Sequence, residues 1–224
     1  MSEIPVSAEA GTRASTLVVL PCSSAKQRGG TRSGRGRGPT VLDWLPAGLA
    51  DELAAARAAN AGWAQCDQSQ VLPALQRYQG GLYTAMGSAG RERLTGGPAV
   101  IFSGGYGLVD PAEPIGWYEA RLKPGRWPHQ LLPRALAGYA AARDIRRVVA
   151  FVAATGPYQQ VVRQVRWPDT VTHAWLLSPR VEGGGAMRRS PRALGEAIAA
   201  YLADGYDHRW RSTDGVPLEQ ERLR

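Results

Sequence analysis

Short runs of apolar residues alternate along the chain with longer stretches in which apolar residues recur every three or four positions. The short runs predict strands at 16–20, 99–102, 148–153 and 170–177. The longer stretches predict helices at 45–63, 71–86, 130–143, 157–166 and 190–202. Strands that alternate with helices are typical of the α/β class, so we predict a single α/β domain with a mostly parallel sheet flanked by helices.

Glycine and proline punctuate the predicted helices. Gly156-Pro157 suits the start of a helix, because proline fits the first helical position, and we predict that Ser190-Pro191 starts the last helix. Gly80-Gly81 interrupts the helix predicted at 71–86, which indicates close packing of that segment against a strand or a ligand.

Composition divides the chain into a domain and its flanks. Residues 1–14 are small and polar and predict a disordered leader, residues 15–205 form the predicted domain, and residues 206–224 a C-terminal tail. Within the domain, the Arg/Gly-rich insertion at 27–38 has no apolar side chain to bury, so we expect it to be flexible.

Arginines in the insertion are spaced by glycine and small polar residues, as in arms that follow a nucleic-acid backbone. They are Arg28, Arg32, Arg35 and Arg37. An ordinary solvated loop is the alternative interpretation of this segment. A second basic, glycine-rich stretch at 180–192 contains Arg188 and Arg189, which we assign to the same role.

The whole chain is basic, with a formal net charge of +8 over 224 residues and a pI near 10. This balance favours a polyanionic partner, although arginine-rich composition also follows from genomic base bias. No apolar run approaches the roughly 18 residues of a membrane span, and residues 1–15 lack the apolar segment of a signal peptide. We therefore expect a cytoplasmic protein with no membrane partner.

Two segments rich in small polar residues follow predicted strands. Segment 21–26 comes after the strand at 16–20, and segment 103–118 comes after the strand at 99–102. Ligands of open α/β sheets collect beyond the carboxyl ends of the strands, so we expect the two segments to line one pocket. The glycines of 103–118 allow close approach of the backbone, and its prolines make the wall rigid.

These segments resemble motifs of a known family. The pattern Ser-Gly-Gly-Tyr-Gly-Leu-Val-Asp-Pro-x-Glu-Pro-Ile-x-x-Tyr at 103–118, together with Pro-Cys-Ser-Ser-x-Lys at 21–26, is similar to the peroxide-stress protein YaaA and its relatives. The Pro-Cys-Ser element also resembles one in the core domain of archaeosine synthase, which acts on a deazaguanine base in RNA. The resemblance implies a YaaA-like fold, a nucleic-acid partner with DNA favoured over RNA, and a role in peroxide protection. The insertion at 27–38 does not belong to the family pattern.

Four side chains of the two segments are candidates for catalysis. Glu113 and Asp110 suit proton transfer if a partly desolvated pocket raises their pKa, and either would alternatively cap a turn. Lysine occurs only at positions 26 and 123 against 25 arginines, so Lys26 is the candidate for phosphate contact or nucleophilic attack. Cys22 has two interpretations, a reactive thiol of lowered pKa and an inert buried one.

Small, hydroxyl and aromatic residues of the same region are candidates for substrate binding. They are Ser23, Ser24, Ser103, Tyr106, Gly107 and Tyr118, with Tyr83 from the helix predicted at 71–86. In the resemblance, Tyr106, Tyr118 and Glu113 fall inside the family motif. For Tyr83, a core position with a satisfied hydroxyl is the favoured alternative.

Taken together, these features predict a protein that binds nucleic acid and cleaves or exchanges the N-glycosidic bond of a damaged or modified base. Tyr106 or Tyr118 would stack on the flipped base, while Glu113 or Asp110 would stabilise an oxocarbenium-like charge. We expect no metal and no cofactor, because the three histidines lack metal-ligand spacing and no dinucleotide fingerprint is present. Two alternatives stay open, a non-catalytic protein that shields DNA from oxidants and an enzyme acting on a small nucleotide or free base.

Overall fold

The computed structural model describes residues 13–31, 38–205 and 207–224, and these ranges contain eight strands. The strands are β1 (Thr16–Pro21), β2 (Asp67–Pro73), β3 (Ala99–Ser103), β4 (Gly107–Val109), β5 (Pro114–Trp117), β6 (Arg147–Phe151), β7 (His173–Pro179) and β8 (Leu218–Arg222). Six of them form one sheet in the order β4-β3-β1-β6-β7-β8, and β2 pairs with β5 in a separate antiparallel ribbon. Strands β3, β1, β6 and β7 run parallel, whereas β4 and β8 are antiparallel edge strands.

Helices cover the two faces of the six-stranded sheet. They are α1 (Ala47–Asn60), the single turn α2 (Ala74–Arg77), α3 (Gly81–Thr95), α4 (Leu131–Ala142), α5 (Pro157–Arg163) and α6 (Ala186–Asp204). The predicted α/β class with a mostly parallel sheet flanked by helices is therefore confirmed. Among the described residues, no helix is both long enough and apolar enough to cross a bilayer.

Side chains of the central strands alternate between two hydrophobic layers. Leu17 and Val19 of β1 belong to the layer that contains α1, α4 and α5, whereas Val18 and Leu20 belong to the layer that contains α3 and α6. Because both faces are covered, each central strand is apolar throughout its length. This double burial is the reason that the continuous apolar runs predicted strands correctly.

Helices α3 and α6 approach each other closely through glycine. Gly195 of α6 lies against the carbonyl of Leu82, and Gly90 of α3 lies against Ala199. A side chain on Gly195 would overlap the α3 backbone, so only glycine permits this spacing. The contact aligns the two helices in parallel, with both N-termini at the carboxyl edge of the sheet.

Two predicted helices were wrong in their extent. The helix predicted at 71–86 is divided, because Val71 and Leu72 pair with β5 and Gly80 marks the start of α3. The last helix begins at Ala186 rather than at Ser190, and Pro191 lies inside it, near Gly81 of α3.

The predicted flanks also differ from expectation. Residues 218–222, assigned to a tail, form β8 and extend the sheet by antiparallel pairing with β7. The prediction of a separate tail at 206–224 was therefore wrong, since β7 offers an edge whose backbone groups need partners. Of the predicted leader, residues 1–12 lie outside the described residues.

The described start of the Arg/Gly-rich insertion is anchored rather than flexible. Gln27 N donates to the Arg77 carbonyl at 2.8 Å, and Gly29 N donates to Gln70 Oε1 at 2.9 Å. The buried Arg77 guanidinium in turn donates to the carbonyls of Gln27, Gly29, Gln70 and Ile115. These bonds hold residues 27–29 against the β2–β5 ribbon, and residues 32–37 lie outside the described residues.

Candidate functional site

Strand β4 divides the 103–118 segment between two edges of the sheet. In the β3–β4 hairpin, Gly107 lies opposite Ser103 and Val109 lies opposite Ile101. The chain thus leaves the carboxyl edge at Gly107 and reaches the amino edge at Asp110. Strand β5 then returns it to the carboxyl edge, so the two ends of the segment meet while its middle lies at a distance.

Glu113 is held in the middle of that segment by a buried ion pair. Its side chain is 4% exposed, and its Oε1 accepts from Arg57 Nη1 at 2.7 Å. Oε2 accepts from the backbone N–H groups of Val41 and Asp110 at 3.0 and 3.1 Å. Both carboxylate oxygens accept hydrogen bonds from groups that hold the loop in place, so the geometry assigns Glu113 to anchoring of the loop. Cys22 and Lys26 lie elsewhere, at the carboxyl edge.

Asp110 likewise stays apart from the carboxyl-edge residues. Its Oδ1 accepts from Ala112 N at 2.8 Å, which closes the turn after β4. Burial, with a smaller contribution from Glu113, raises the pKa of this carboxyl to about 6, although the Ala112 N–H and Arg143 oppose the rise. The side chain lines a cleft with Trp44 and Arg143 at the amino edge. The hydrogen bond to Ala112 fits the turn-forming interpretation, and the raised pKa in a cleft fits proton transfer, so both interpretations stay open for Asp110.

The carboxyl edge gathers a cluster of hydroxyl, thiol and amine groups, which we call the edge cluster. Its members are Cys22, Lys26, Cys66, Tyr78, Ser103, Tyr106, Tyr118 and Tyr158. They come from the ends of β1, β3 and β5 and the segments after them, from the residues just before β2 and just after α2, and from the first turn of α5. The cluster brings together five of the predicted site residues, Cys22, Lys26, Ser103, Tyr106 and Tyr118.

A chain of hydrogen bonds runs through the buried part of the edge cluster. The Tyr78 and Tyr118 hydroxyls lie 2.9 Å apart, Ser103 Oγ donates to the Tyr118 hydroxyl at 3.0 Å, and Tyr106 N donates to Ser103 Oγ at 3.1 Å. Burial raises the pKa of Tyr78 and Tyr118 well above the ordinary tyrosine range. Both phenols therefore stay protonated and act as hydrogen-bonding groups.

Lys26 lies over this chain with its Nζ 4.3 Å from the centre of the Tyr118 ring. Its backbone pairs with Tyr78 in an isolated antiparallel bridge, which fixes the position of the side chain. Burial lowers the pKa of the Lys26 ammonium, an effect that Cys22 and Glu119 oppose. The lowered pKa increases the fraction of neutral amine at physiological pH, and only the neutral amine is a nucleophile.

The two cysteines of the edge cluster are half-buried and free. Cys22 follows β1, and its Sγ lies 3.3 Å from the Tyr158 hydroxyl. Cys66 lies beside Gly105 and Tyr106, and burial raises the pKa of its thiol. Cys66 is therefore protonated at neutral pH, which leaves Cys22 as the thiol whose reactivity is open to test.

Three predicted binding residues lie outside the edge cluster. Tyr83 is buried in the core and donates to the Pro21 carbonyl at 2.9 Å, as its favoured alternative interpretation predicted. Gly107 has a left-handed φ of 74° and packs against Trp127 and Leu132, so it forms the hairpin rather than a pocket wall. Ser23 Oγ accepts from Ala25 N and lies against Gly80, which makes it a turn residue.

Ser24 is the remaining predicted binding residue, and it is exposed next to the edge cluster. Tyr78, Tyr158 and Cys66 belong to the edge cluster but were not among the predicted site residues. Tyr158 could have been predicted as a site residue, because it follows Gly156-Pro157 at the carboxyl end of β6, the strand beside β1. Cys66 and Tyr78 carried no such signal, since the polar sequence of β2 did not predict a strand.

Outside the edge cluster, cationic side chains lie over two further aromatic rings, those of Trp117 and Trp63. The Arg28 guanidinium lies 4.1 Å from the centre of the Trp117 ring. Lys123 Nζ and the Arg126 guanidinium lie 5.5 and 5.0 Å from the Trp63 ring. A hydrogen bond of 2.8 Å from Glu119 N to the Ala64 carbonyl joins the turn that carries Trp63 to this segment.

The other predicted backbone-binding arginines are placed as follows. In the first turn of α6, Arg188 is exposed and Arg189 is half-buried, and Arg189 donates to the carbonyls of Glu182 and Asp214. Arg32, Arg35 and Arg37 lie outside the described residues. Within the described ranges, no three His, Cys, Asp or Glu side chains converge as metal ligands would.

A scan against protein-family models gave no match, and a search of curated proteins found no significant similarity to this chain. Membership of the YaaA family therefore stays a prediction from the two motifs at 21–26 and 103–118.

Proposed function

We propose that the protein binds nucleic acid and presents a base to the edge cluster, where the N-glycosidic bond of a damaged or modified base is cleaved. The observation that carries the proposal is the row of cation–aromatic pairs beside the cluster: Lys26 on Tyr118, Arg28 on Trp117, and Lys123 with Arg126 on Trp63. Aromatic rings stack on bases and adjacent cations neutralise phosphates, so this combination suits a strand of nucleic acid.

The net charge supports the same partner. A formal charge of +8 attracts a polyanion over a distance limited by salt. Phosphate contacts set the position of a strand, whereas a base that is turned out of the stack can be read by a pocket. In the edge cluster, the half-buried Tyr106 provides a ring for a base, and its hydroxyl is held by Gln68 and Gly116 at 2.7 and 2.9 Å.

Lys26 is the residue that we propose performs the chemistry. Its neutral amine attacks C1′ of the sugar, the C1′–N bond breaks with its electron pair leaving on the base, and the base takes up a proton from solvent. The attached nitrogen then loses a proton, its lone pair forms the C1′=N bond as the C1′–O4′ bond breaks, and O4′ takes up a proton. Water hydrolyses the resulting imine to the C1′ aldehyde and returns the free amine of Lys26. Glu113 and Asp110 have no part in this scheme, because neither lies in the edge cluster.

The imine makes the proposal testable by reductive trapping. Incubation with DNA that carries oxidised or otherwise modified bases, in the presence of borohydride, is expected to give a covalent protein–DNA adduct whose peptide mass identifies Lys26. Lys26→Gln should remove the adduct and lower base release about a hundredfold or more. Trapping should increase with pH and level off above the pKa of Lys26, because burial lowers that pKa and only the deprotonated amine reacts.

The chain offers a matched control, because Lys123 is its only other lysine. Lys123→Gln removes the same charge beside Trp63 and is compared at saturating DNA, where weaker strand binding does not limit the reaction and trapping should stay intact. Adduct formation at Lys123 or at the N-terminal amine, or equal base release by Lys26→Gln, would refute the assignment. Binding of modified DNA without any base release would favour the non-catalytic alternative, and release from free nucleotides alone would favour the small-nucleotide enzyme.

A further inference from the structure

A second cavity lies at the amino edge of the sheet, on the side opposite the edge cluster. It has a volume of about 240 Å³ and is enclosed by the start of β1, the last turn of α3 and the end of α6. The polar side chains that line it are Arg13, Thr16, Arg93 and Tyr201. None of the described residues that line the cavity is Asp or Glu, so its charged side chains are all positive.

Arg13 is the central group of this cavity. Its side chain lies against Gly96 and Gly97. A Cβ at Gly97 would lie 3.3 Å from the Cγ and Nε atoms of Arg13, so the absence of a side chain there makes room for the arginine. Its Nε and Nη2 are buried, and neither has a hydrogen-bond acceptor among the described residues. Buried donors without acceptors cost free energy, so a site that keeps two of them on one guanidinium is suited to a ligand that supplies oxygen atoms.

The surroundings of Arg13 add positive charge rather than remove it. Burial lowers the pKa of Arg13, and the nearby Arg93 lowers it further. Arg147 at the start of β6 lies close enough to Tyr201 to oppose the burial that raises the pKa of that phenol to about 12. Two arginines that repel each other across a shared cavity are stabilised when an anion enters between them.

The C-terminal end of α3 explains why a cation lies at this position, but it gives no acceptor to Nε and Nη2 of Arg13. The C-terminal end of a helix carries a partial negative charge, which favours a cation in the position of Arg13. Capping by an arginine would also direct its N–H groups at the last carbonyls of the helix. Neither Nε nor Nη2 makes such a bond within the described residues, so capping does not satisfy them.

We propose that the cavity between Arg13 and Arg93 binds a phosphate group. Arginine matches the planar geometry of two phosphate oxygens and keeps its charge at any physiological pH. The volume is below the roughly 300–1,000 Å³ of pockets that enclose drug-sized molecules, so the cavity suits a small anion or the phosphate end of a longer one.

Calorimetric titration at constant ionic strength tests the proposal with probes that carry no modified base, so that any strand binding beside the edge cluster is common to both oligonucleotides. The probes are inorganic phosphate and a short single-stranded oligonucleotide prepared with and without a 5′-phosphate. We expect saturable binding of phosphate, or of the 5′-phosphorylated strand in preference to its unmodified counterpart. The first result identifies the free ion as the ligand, and the second identifies the end of a nucleic-acid strand.

Variants connect the binding to the two arginines. Arg13→Gln and Arg93→Gln should each weaken binding about tenfold or more, since each removes a charge-assisted contact. Arg166→Gln, an exposed arginine outside the cavity, removes the same charge and should leave binding unchanged. Arg93 is also exposed, so its replacement is expected to leave the fold intact. Absence of saturable binding by the unaltered protein, or equal binding by the Arg13 and Arg93 variants, would overturn the proposal.

Discussion

Arg57 and Glu113 are 56 positions apart in the chain, yet they form the contact that organises the 103–118 segment. Besides Glu113, the Arg57 guanidinium donates to the carbonyls of Tyr106 and Leu108. One arginine therefore holds three points of the β3–β4 hairpin and the turn that follows it. A motif residue that resembles a catalytic acid in the sequence is, in the fold, the partner of this arginine.

Replacement of Glu113 distinguishes these two roles. Glu113→Gln puts an amide among three donors that require acceptors, and we expect the free energy of unfolding to fall by about 3 kcal/mol, as for a buried ion pair that loses one partner. Urea denaturation followed by circular dichroism measures the change. The control is Glu52→Gln, which breaks the exposed Arg134–Glu52 pair and should cost less than about 1 kcal/mol. An unchanged stability together with lost base release would return Glu113 to the mechanism.

At the scale of elements, the success of sequence-based prediction depended on burial. Strands β1, β3, β6 and β7 are apolar because helices cover both of their faces, and that pattern is visible in the chain itself. Strand β2 has the sequence Asp-Gln-Ser-Gln-Val-Leu-Pro and belongs to a two-stranded ribbon with an exposed face, so its pattern did not predict a strand. The edge cluster was partly predictable for the same reason, because Cys22 and Ser103 follow buried strands, whereas Tyr78 depends on the fold of the ribbon region.

The contact between α3 and α6 gives a prediction about packing. Gly195→Ala would place a methyl group against the Leu82 carbonyl and Ala85, and we expect a loss of about 1–3 kcal/mol in the free energy of unfolding, as for other overpacked sites. The matched control is Gly48→Ala in α1, where the added methyl group meets no atom and the higher helix propensity of alanine should be neutral or stabilising by up to about 1 kcal/mol. Thermal melting of both variants provides the comparison. Equal melting temperatures for Gly195→Ala and the unaltered protein would show that the helices separate easily.

For the whole molecule, the distribution of functional groups follows the direction of the parallel strands. The carboxyl edge carries the edge cluster with its lysine, tyrosines and two cysteines, and the amino edge carries the cavity between Arg13 and Arg93. This division was not predictable from the sequence, because it depends on which way the hairpin at β4 carries the 103–118 segment. The two sites are separated by the sheet, so each can be tested by variants that leave the other intact.

The basic balance of the chain gives the last prediction, which concerns the salt dependence of binding. Each phosphate that an arginine neutralises releases counterions, so the logarithm of the association constant falls with the logarithm of salt concentration by about 0.9 per contact on double-stranded DNA. Replacing Arg32, Arg35 and Arg37 by serine should therefore reduce the slope by as much as about 2.7, while the anchors at Gln27 and Gly29 keep the start of the insertion in place. Fluorescence anisotropy with labelled DNA over a range of salt concentrations measures the slope.

The control replaces three exposed arginines away from both sites, Arg134, Arg146 and Arg163, and so removes the same net charge. A reduced slope in the first variant alone means that the insertion contacts the phosphates, whereas an equal reduction in both means that net charge alone drives the attraction.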